Sequence, residues 1–178
     1  MKWMVASDLH GSAYYCRKLL EAYRREGAER LVLLGDLLYH GPRNDLPREY
    51  APKEVAAMLN AVADELLCVR GNCEAEVDQL MLQFPVMAEY AVFYLGGTMY
   101  FATHGHKFNK ETPPCLKEGD VLLHGHTHVT ADELCIAEGP HGSYTYRYLN
   151  PGSVSIPKEN TARGYLLLTE AGVEFKGL

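Results

Sequence analysis

Five short segments of this sequence end an apolar run with a side chain able to hold a metal ion and then turn. They are Val5-Ala6-Ser7-Asp8-Leu9-His10-Gly11, Leu33-Leu34-Gly35-Asp36, Val69-Arg70-Gly71-Asn72, Ala102-Thr103-His104-Gly105-His106 and Leu123-His124-Gly125-His126-Thr127-His128. In an α/β sheet, sites lie beyond the carboxyl ends of the strands, so groups far apart in sequence can converge there. The candidate metal ligands are Asp8, His10, Asp36, Asn72, His104, His126 and His128. Seven ligands are too many for one ion and suit two ions that share a bridge.

In an extended chain, side chains two apart point the same way, so Asp8 with His10, and His126 with His128, can each grip one ion as a pair. Carboxylate oxygen mixed with imidazole nitrogen suits manganese, iron, zinc or a similar transition metal better than magnesium or calcium. Asp36 is the natural bridge, because a carboxylate has two oxygens and the preceding Gly35 lets backbone approach closely. Two ions about 3.5 to 4 Å apart would lower the pKa of a shared water and hold phosphoryl oxygens for in-line attack. Hydroxide would then be the nucleophile.

Alternating strands and helices must position these groups in the first half. Trp3 to Ser7 reads as a strand, followed by Ser12 as an N-cap and by Cys16, Leu19, Leu20 and Tyr23 at helical spacing, with Gly27 as the stop. The same spacing recurs at Val55, Met58, Leu59 and Val62 after Pro52, and at Val77, Leu80, Met81 and Phe84. Buried-strand runs Leu31 to Leu34 and Leu66 to Val69 lie between, giving β-α-β-α-β and a parallel sheet. Past Pro85 the spacing predicts strands at Tyr90 to Leu95, Met99 to Thr103 and Val121 to Leu123, the first two joined by a Gly96-Gly97 turn. Two more hairpins follow, Leu134 to Ala137 with Tyr144 to Leu149, and Tyr165 to Leu168 with Val173 to Phe175. The irregular Tyr39 to Ala51 is long enough to cover a site.

Taken together, D-x-H at Asp8, G-D at Asp36, G-N at Asn72, H-G-H at His104 and G-H-x-H at His126 resemble the calcineurin-like metallophosphoesterase superfamily, from Asp8 to His128. Gly71-Asn72-Cys73-Glu74, His40-Gly41-Pro42-Arg43-Asn44 and Leu149-Asn150-Pro151-Gly152-Ser153-Val154-Ser155 resemble its YfcE-like branch of small bacterial phosphodiesterases. The resemblance implies an α/β fold, a four-layer α-β-β-α sandwich of two mixed sheets flanked by helices. It also implies Asp8, His10, Asp36 and His128 on one metal, with Asp36, Asn72, His104 and His126 on the other. That division separates His126 from His128, which the pairing argument puts together. Manganese is the first expectation for both ions, with iron, zinc or nickel as alternatives.

One departure is informative. Many members of the superfamily have a His after Gly-Asn that can protonate the leaving oxygen or hold the phosphate, and here that position is Cys73. Leaving groups of low pKa, or help from another group such as His106 or water, would then be favoured, and the resemblance to the YfcE-like branch implies phosphodiesters over monoesters. Asp36, Asn72 and His106 are therefore the candidate catalytic residues, and Cys73, Arg43 and Asn44 the candidate substrate contacts. Arg70 could also hold a phosphate. His124 is expected to face the other side of its strand as a satisfied structural group. The competing functions are a phosphomonoesterase on the same site, a metal-free protein-interaction scaffold of the same fold, and a nuclease. All seven ligands are present, which weighs against the scaffold.

With 178 residues the chain suits one domain, 1–178, able to bury a core without disulfides. A formal net charge of −6 would repel a long polyanion, so strong nucleic-acid binding is not expected and a small phosphodiester is the expected partner. The five cysteines are scattered, with no C-x-x-C pair, which fits a reduced cytoplasmic setting. No apolar run approaches the length of a membrane span. A homo-oligomer is compatible with the sequence.

Overall fold

A computed structural model describes residues 1–178. The first half alternates as expected: β1 (Lys2–Ala6), α1 (Ala13–Glu26), β2 (Arg30–Leu33), α2 (Pro52–Asn60), a 3-10 turn at Ala63–Glu65, β3 (Leu66–Cys68) and α3 (Glu76–Met81). Strands then dominate: β4 (Tyr90–Leu95), β5 (Thr98–Thr103), β6 (Val121–Leu123), β7 (Thr130–Gly139), β8 (Gly142–Pro151), β9 (Gly164–Thr169) and β10 (Gly172–Gly177). One sheet has the order β10-β9-β1-β2-β3 and the other β4-β5-β6-β8-β7. Both are mixed, with β1, β2 and β3 parallel in the first and β5, β6 and β8 parallel in the second.

Alternation along the strands separates two cores. Met4 and Ala6 of β1, with Leu31 and Leu33 of β2, pack against Cys16, Leu19 and Tyr23 of α1 and Val55 and Leu59 of α2. Val5 and Val32 point the opposite way and meet Phe93, Tyr100, Leu123 and Leu149 between the sheets. Each fully buried Leu or Val contributes about 1.5–3 kcal/mol relative to exposure. Helix α1 begins where Ser12 Oγ accepts from the Tyr15 amide at 3.3 Å and ends at Gly27, whose φ of 61° is the left-handed cap.

The two mixed sheets are flanked by helices, with α1 and α2 over the first. The outer face of the second is covered by irregular chain, where Phe108 and Leu116 pack on Phe101, Leu122, Tyr146 and Tyr148. The third helix departs from its expected amphipathic packing. It is six residues long, and Val77, Leu80 and Met81 are exposed, Leu80 at 85%. Phe84 is buried, but it lies in the chain after the helix end, ahead of Pro85. Too little neighbouring structure reaches this short helix for a helical period to mark a core face.

Candidate metal centre

The carboxyl ends of β1, β2, β3, β5 and β6 deliver the candidate ligands to one end of the sandwich. The backbone there is left-handed: φ is 59° at Asp8, 48° at His10, 55° at Asp36, 65° at His126 and 63° at His128. The expectation of extended pairs is thus corrected. These residues sit in tight turns beyond the strands, a conformation that costs L-residues of order 1–3 kcal/mol each and clusters at functional sites. A glycine is required at two of the turns. A Cβ on Gly71 would overlap Asp36 Oδ1, and one on Gly125 would overlap Ser7 Oγ.

The turns bring together two groups of side chains. In one, Asp8 Oδ1 lies 3.1 Å from His128 Nε2 and 3.5 Å from His10 Nε2, and the two ring nitrogens are 3.1 Å apart. In the other, His104 Nε2 lies 3.4 Å from Asp36 Oδ2, 3.0 Å from Asn72 Oδ1 and 3.1 Å from His126 Nδ1. Asp8, His10 and His128, and separately Asp36, His104 and His126, each present ligand atoms within 4.8 Å of one another. So His126 and His128 fall in different groups. Asp36 Oδ2 also lies 3.7 Å from His10 Nε2, while its Oδ1 accepts from the Cys73 amide at 2.9 Å. One oxygen of Asp36, rather than two, faces both groups.

The donor set fits cations. His10, His104 and His128 donate Nδ1–H to the carbonyls of Tyr39, Leu34 and Ile156 at 2.8, 2.6 and 2.8 Å, which turns each Nε2 lone pair inward. Asp8 Oδ2 is satisfied by Ser7 Oγ at 2.6 Å and the His126 amide at 3.0 Å, whereas Oδ1 is buried with no hydrogen bond. Facing lone pairs and an orphaned carboxylate oxygen repel one another unless positive charge lies among them. Burial pushes the His104 imidazole down, yet the Asp36 and Asp8 carboxylates overcome it and lift it to about 9. Burial and the neighbouring His104 push His126 down to about 4.

Several groups that orient this cluster carry no ligand chemistry, and the sequence reading assigned them no role. Buried Glu74 accepts from the amides of Asp36, Leu37 and Gly71 at 2.9, 2.7 and 2.5 Å, tying the Asp36 turn to the Asn72 turn. Ser153 and Ser155 hydroxyls both donate to the Asp8 carbonyl, at 2.8 and 3.0 Å. Asn150 donates to the Gly125 carbonyl at 2.9 Å and to Thr127 Oγ1 at 3.0 Å. The available signal was the position of Glu74 two residues after a candidate ligand.

A cavity of about 420 Å³ opens onto the cluster, and Arg43, Asn44, Asn72, Cys73 and Lys158 help to line it. Lys158 is a second cation that the sequence reading did not single out. Asn44 Nδ2 donates to the His40 carbonyl at 2.9 Å, bracing this loop. Cys73 Sγ accepts from Asn72 Nδ2 at 3.3 Å, and burial with the Asp36 charge pushes its thiol up. His106 is not in the cavity wall; its ring lies 5.5 Å from that of His104. Arg70 is used internally, donating to the Glu74 carbonyl at 3.3 and 3.2 Å. His124 is only half satisfied, since Nδ1 donates to the Gly125 carbonyl at 3.0 Å and buried Nε2 has no partner.

Known proteins share this fold and sequence. Phosphodiesterase YfcE of Escherichia coli strain K12 is 47% identical over 168 residues, covering 94% of this chain and 87% of that protein. A solved structure of the phosphoesterase YfcE from E. coli superposes with a TM-score of 0.89 at 44% identity, covering 99% of this chain and 93% of the other. A solved archaeal phosphodiesterase shares the fold, with a TM-score of 0.63 at 19% identity over all of both chains. The calcineurin-like phosphoesterase superfamily domain matches residues 1–172, which takes in every strand end that feeds the cluster. On that match, and on a near half-identical relative, the chain belongs to the calcineurin-like phosphoesterase superfamily.

Proposed function

We propose that the chain hydrolyses small phosphodiesters with two divalent transition-metal ions, manganese first among them. The observation that carries this reading is the convergence of both ligand groups on Asp36 Oδ2, 3.4 Å from His104 Nε2 and 3.7 Å from His10 Nε2. Asp8, His10, Asp36 and His128 would hold one ion, and Asp36, Asn72, His104 and His126 the other. When bound, such a pair supplies Lewis-acid stabilisation of the phosphoryl oxygens and a water of lowered pKa.

The chain's own residues do the rest. The Cys73 amide holds Asp36 Oδ1, which keeps Oδ2 turned to both groups. Arg43 and Lys158 offer cationic donors from the cavity wall to the substrate, and Asn44 steadies the Arg43 loop. His106, whose ring lies 5.5 Å from that of His104, or a water is the candidate proton donor to the leaving oxygen. A monoester dianion carries one more charge than a diester, and the neutral Cys73 thiol gives that charge no compensating imidazolium. The near half-identical relative, named a phosphodiesterase, supports the same preference. We read the chain as one domain acting in the cytoplasm, a reading supported by five free cysteines, and no helix is long and apolar enough to cross a membrane.

The test is manganese-stimulated hydrolysis of bis(4-nitrophenyl) phosphate beside 4-nitrophenyl phosphate. Faster turnover of the diester is expected. Faster turnover of the monoester would overturn the diester preference.

A further inference from the structure

A second cavity, about 480 Å³, lies beside the reaction cavity and shares His126 and Thr127 with it as common wall. Its far side is built from different chemistry. The reaction cavity carries the cations Arg43 and Lys158, whereas the second carries the carboxylates Glu111, Glu133 and Glu159. Lys110 neutralises one of these, at 2.9 Å from Glu133, and leaves Glu111 and Glu159 uncompensated. The polarity of the surface thus reverses across the shared wall.

A buried polar group marks the second cavity as more than an acidic patch. His124 belongs to its wall, is only 3% exposed and stacks on Tyr148 with ring centroids 4.4 Å apart. With Nδ1 donating to the Gly125 carbonyl, Nε2 is left as a buried acceptor without a donor. Such an atom carries a penalty of about 1–3 kcal/mol that a ligand N–H or O–H would relieve. Tyr148, whose hydroxyl accepts from Asn150 Nδ2 at 2.8 Å, adds a rigid aromatic wall.

A phosphodiester has two organic substituents, and a phosphoryl group against the shared wall would direct them to opposite sides. We propose that the second cavity is the subsite for one of them, and that it favours a cationic group, or an uncharged one bearing N–H or O–H donors, and rejects an anionic one. This rests on the phosphodiester reading above and adds a direction to it. A substituent carrying its own carboxylate or phosphate belongs on the Arg43 and Lys158 side.

The experiment measures kcat/KM for three 4-nitrophenyl phosphodiesters whose other substituent is choline, ethyl or 2-hydroxyethyl. Ratios within one enzyme preparation cancel any general loss of activity. In the Glu111→Lys/Glu159→Lys double variant, at exposed positions, the choline-to-ethyl ratio should fall at least about fivefold below wild type. In His124→Phe, which keeps the stacked ring, the hydroxyethyl-to-ethyl ratio should fall while the choline-to-ethyl ratio holds. An unchanged hydroxyethyl-to-ethyl ratio in His124→Phe overturns the donor contact; should that variant not fold, the wild-type hydroxyethyl-to-ethyl ratio decides it, and a ratio of about one or less overturns it. An unchanged choline-to-ethyl ratio in the double variant overturns the subsite and leaves the phosphodiesterase reading intact. A wild-type enzyme that hydrolyses none of the three overturns both.

Discussion

Cys73 decides more at the level of single residues than its size suggests. Its amide anchors Asp36, and in the function proposed above its thiol stands where an imidazole would meet the extra charge of a monoester. Cys73→His should therefore raise monoester over diester turnover, read as the ratio of the two rates in one preparation; an unchanged ratio would separate the preference from this position. Glu74 makes a different kind of contribution, since one buried carboxylate satisfies three amides from two turns. Glu74→Gln should lower activity by roughly 10–100-fold, the usual cost of losing a group that orients metal ligands, and reduce stability by about 1–3 kcal/mol in a urea titration. The side chains that cluster at the candidate site were legible in the sequence because Asp, His and Asn recur at strand ends where packing asks for none of them. Glu74, Asn150, Ser153 and Ser155 were not, because they act on backbone amides and carbonyls whose partners appear only after folding. The split between His126 and His128 lay beyond pairing rules for a related reason. Left-handed turns at both residues cancel the period of two that extended chain would have.

Among the elements, periodicity was a good guide where a face is fully covered. Leu19 of α1 is fully buried, and Leu19→Ala should cost about 2–5 kcal/mol, measured by chemical denaturation. The same spacing at Val77, Leu80 and Met81 marks no core, because α3 is short and stands off the sheet. Leu80→Glu should accordingly change stability by no more than about 0.5 kcal/mol; a loss near that of Leu19→Ala would mean that α3 packs as an ordinary core helix. Strand positions emerged more faithfully than strand lengths. Leu134 to Ala137 and Tyr144 to Leu149 are the middle of β7 and β8, which run on from Thr130 to Gly139 and from Gly142 to Pro151. Polar residues pair there as well as apolar ones, Asp132 and Arg147 forming a two-pronged ion pair at 2.7 and 2.8 Å, so hydropathy alone underestimates the ladder.

For the molecule as a whole, the site exists because strands of two sheets end at the same place. The Gly125 amide bonds to the His104 carbonyl at 2.9 Å, the Val154 amide to the Ser7 carbonyl at 3.0 Å, and His104 Nδ1 reaches Leu34 of the other sheet. Two mixed sheets could be anticipated from the order of the elements and the family resemblance; how closely they approach at the site could not, since that is set by contacts such as Gly125 against Ser7. In the function proposed above, Asp36 would join two metal ions at this junction. Titrating manganese into metal-free protein, followed by electron paramagnetic resonance, tests it directly. Two ions per chain with an exchange-coupled spectrum are expected, and loss of the coupling in Asp36→Ala. A single equivalent, or uncoupled spectra in the wild type, would contradict it.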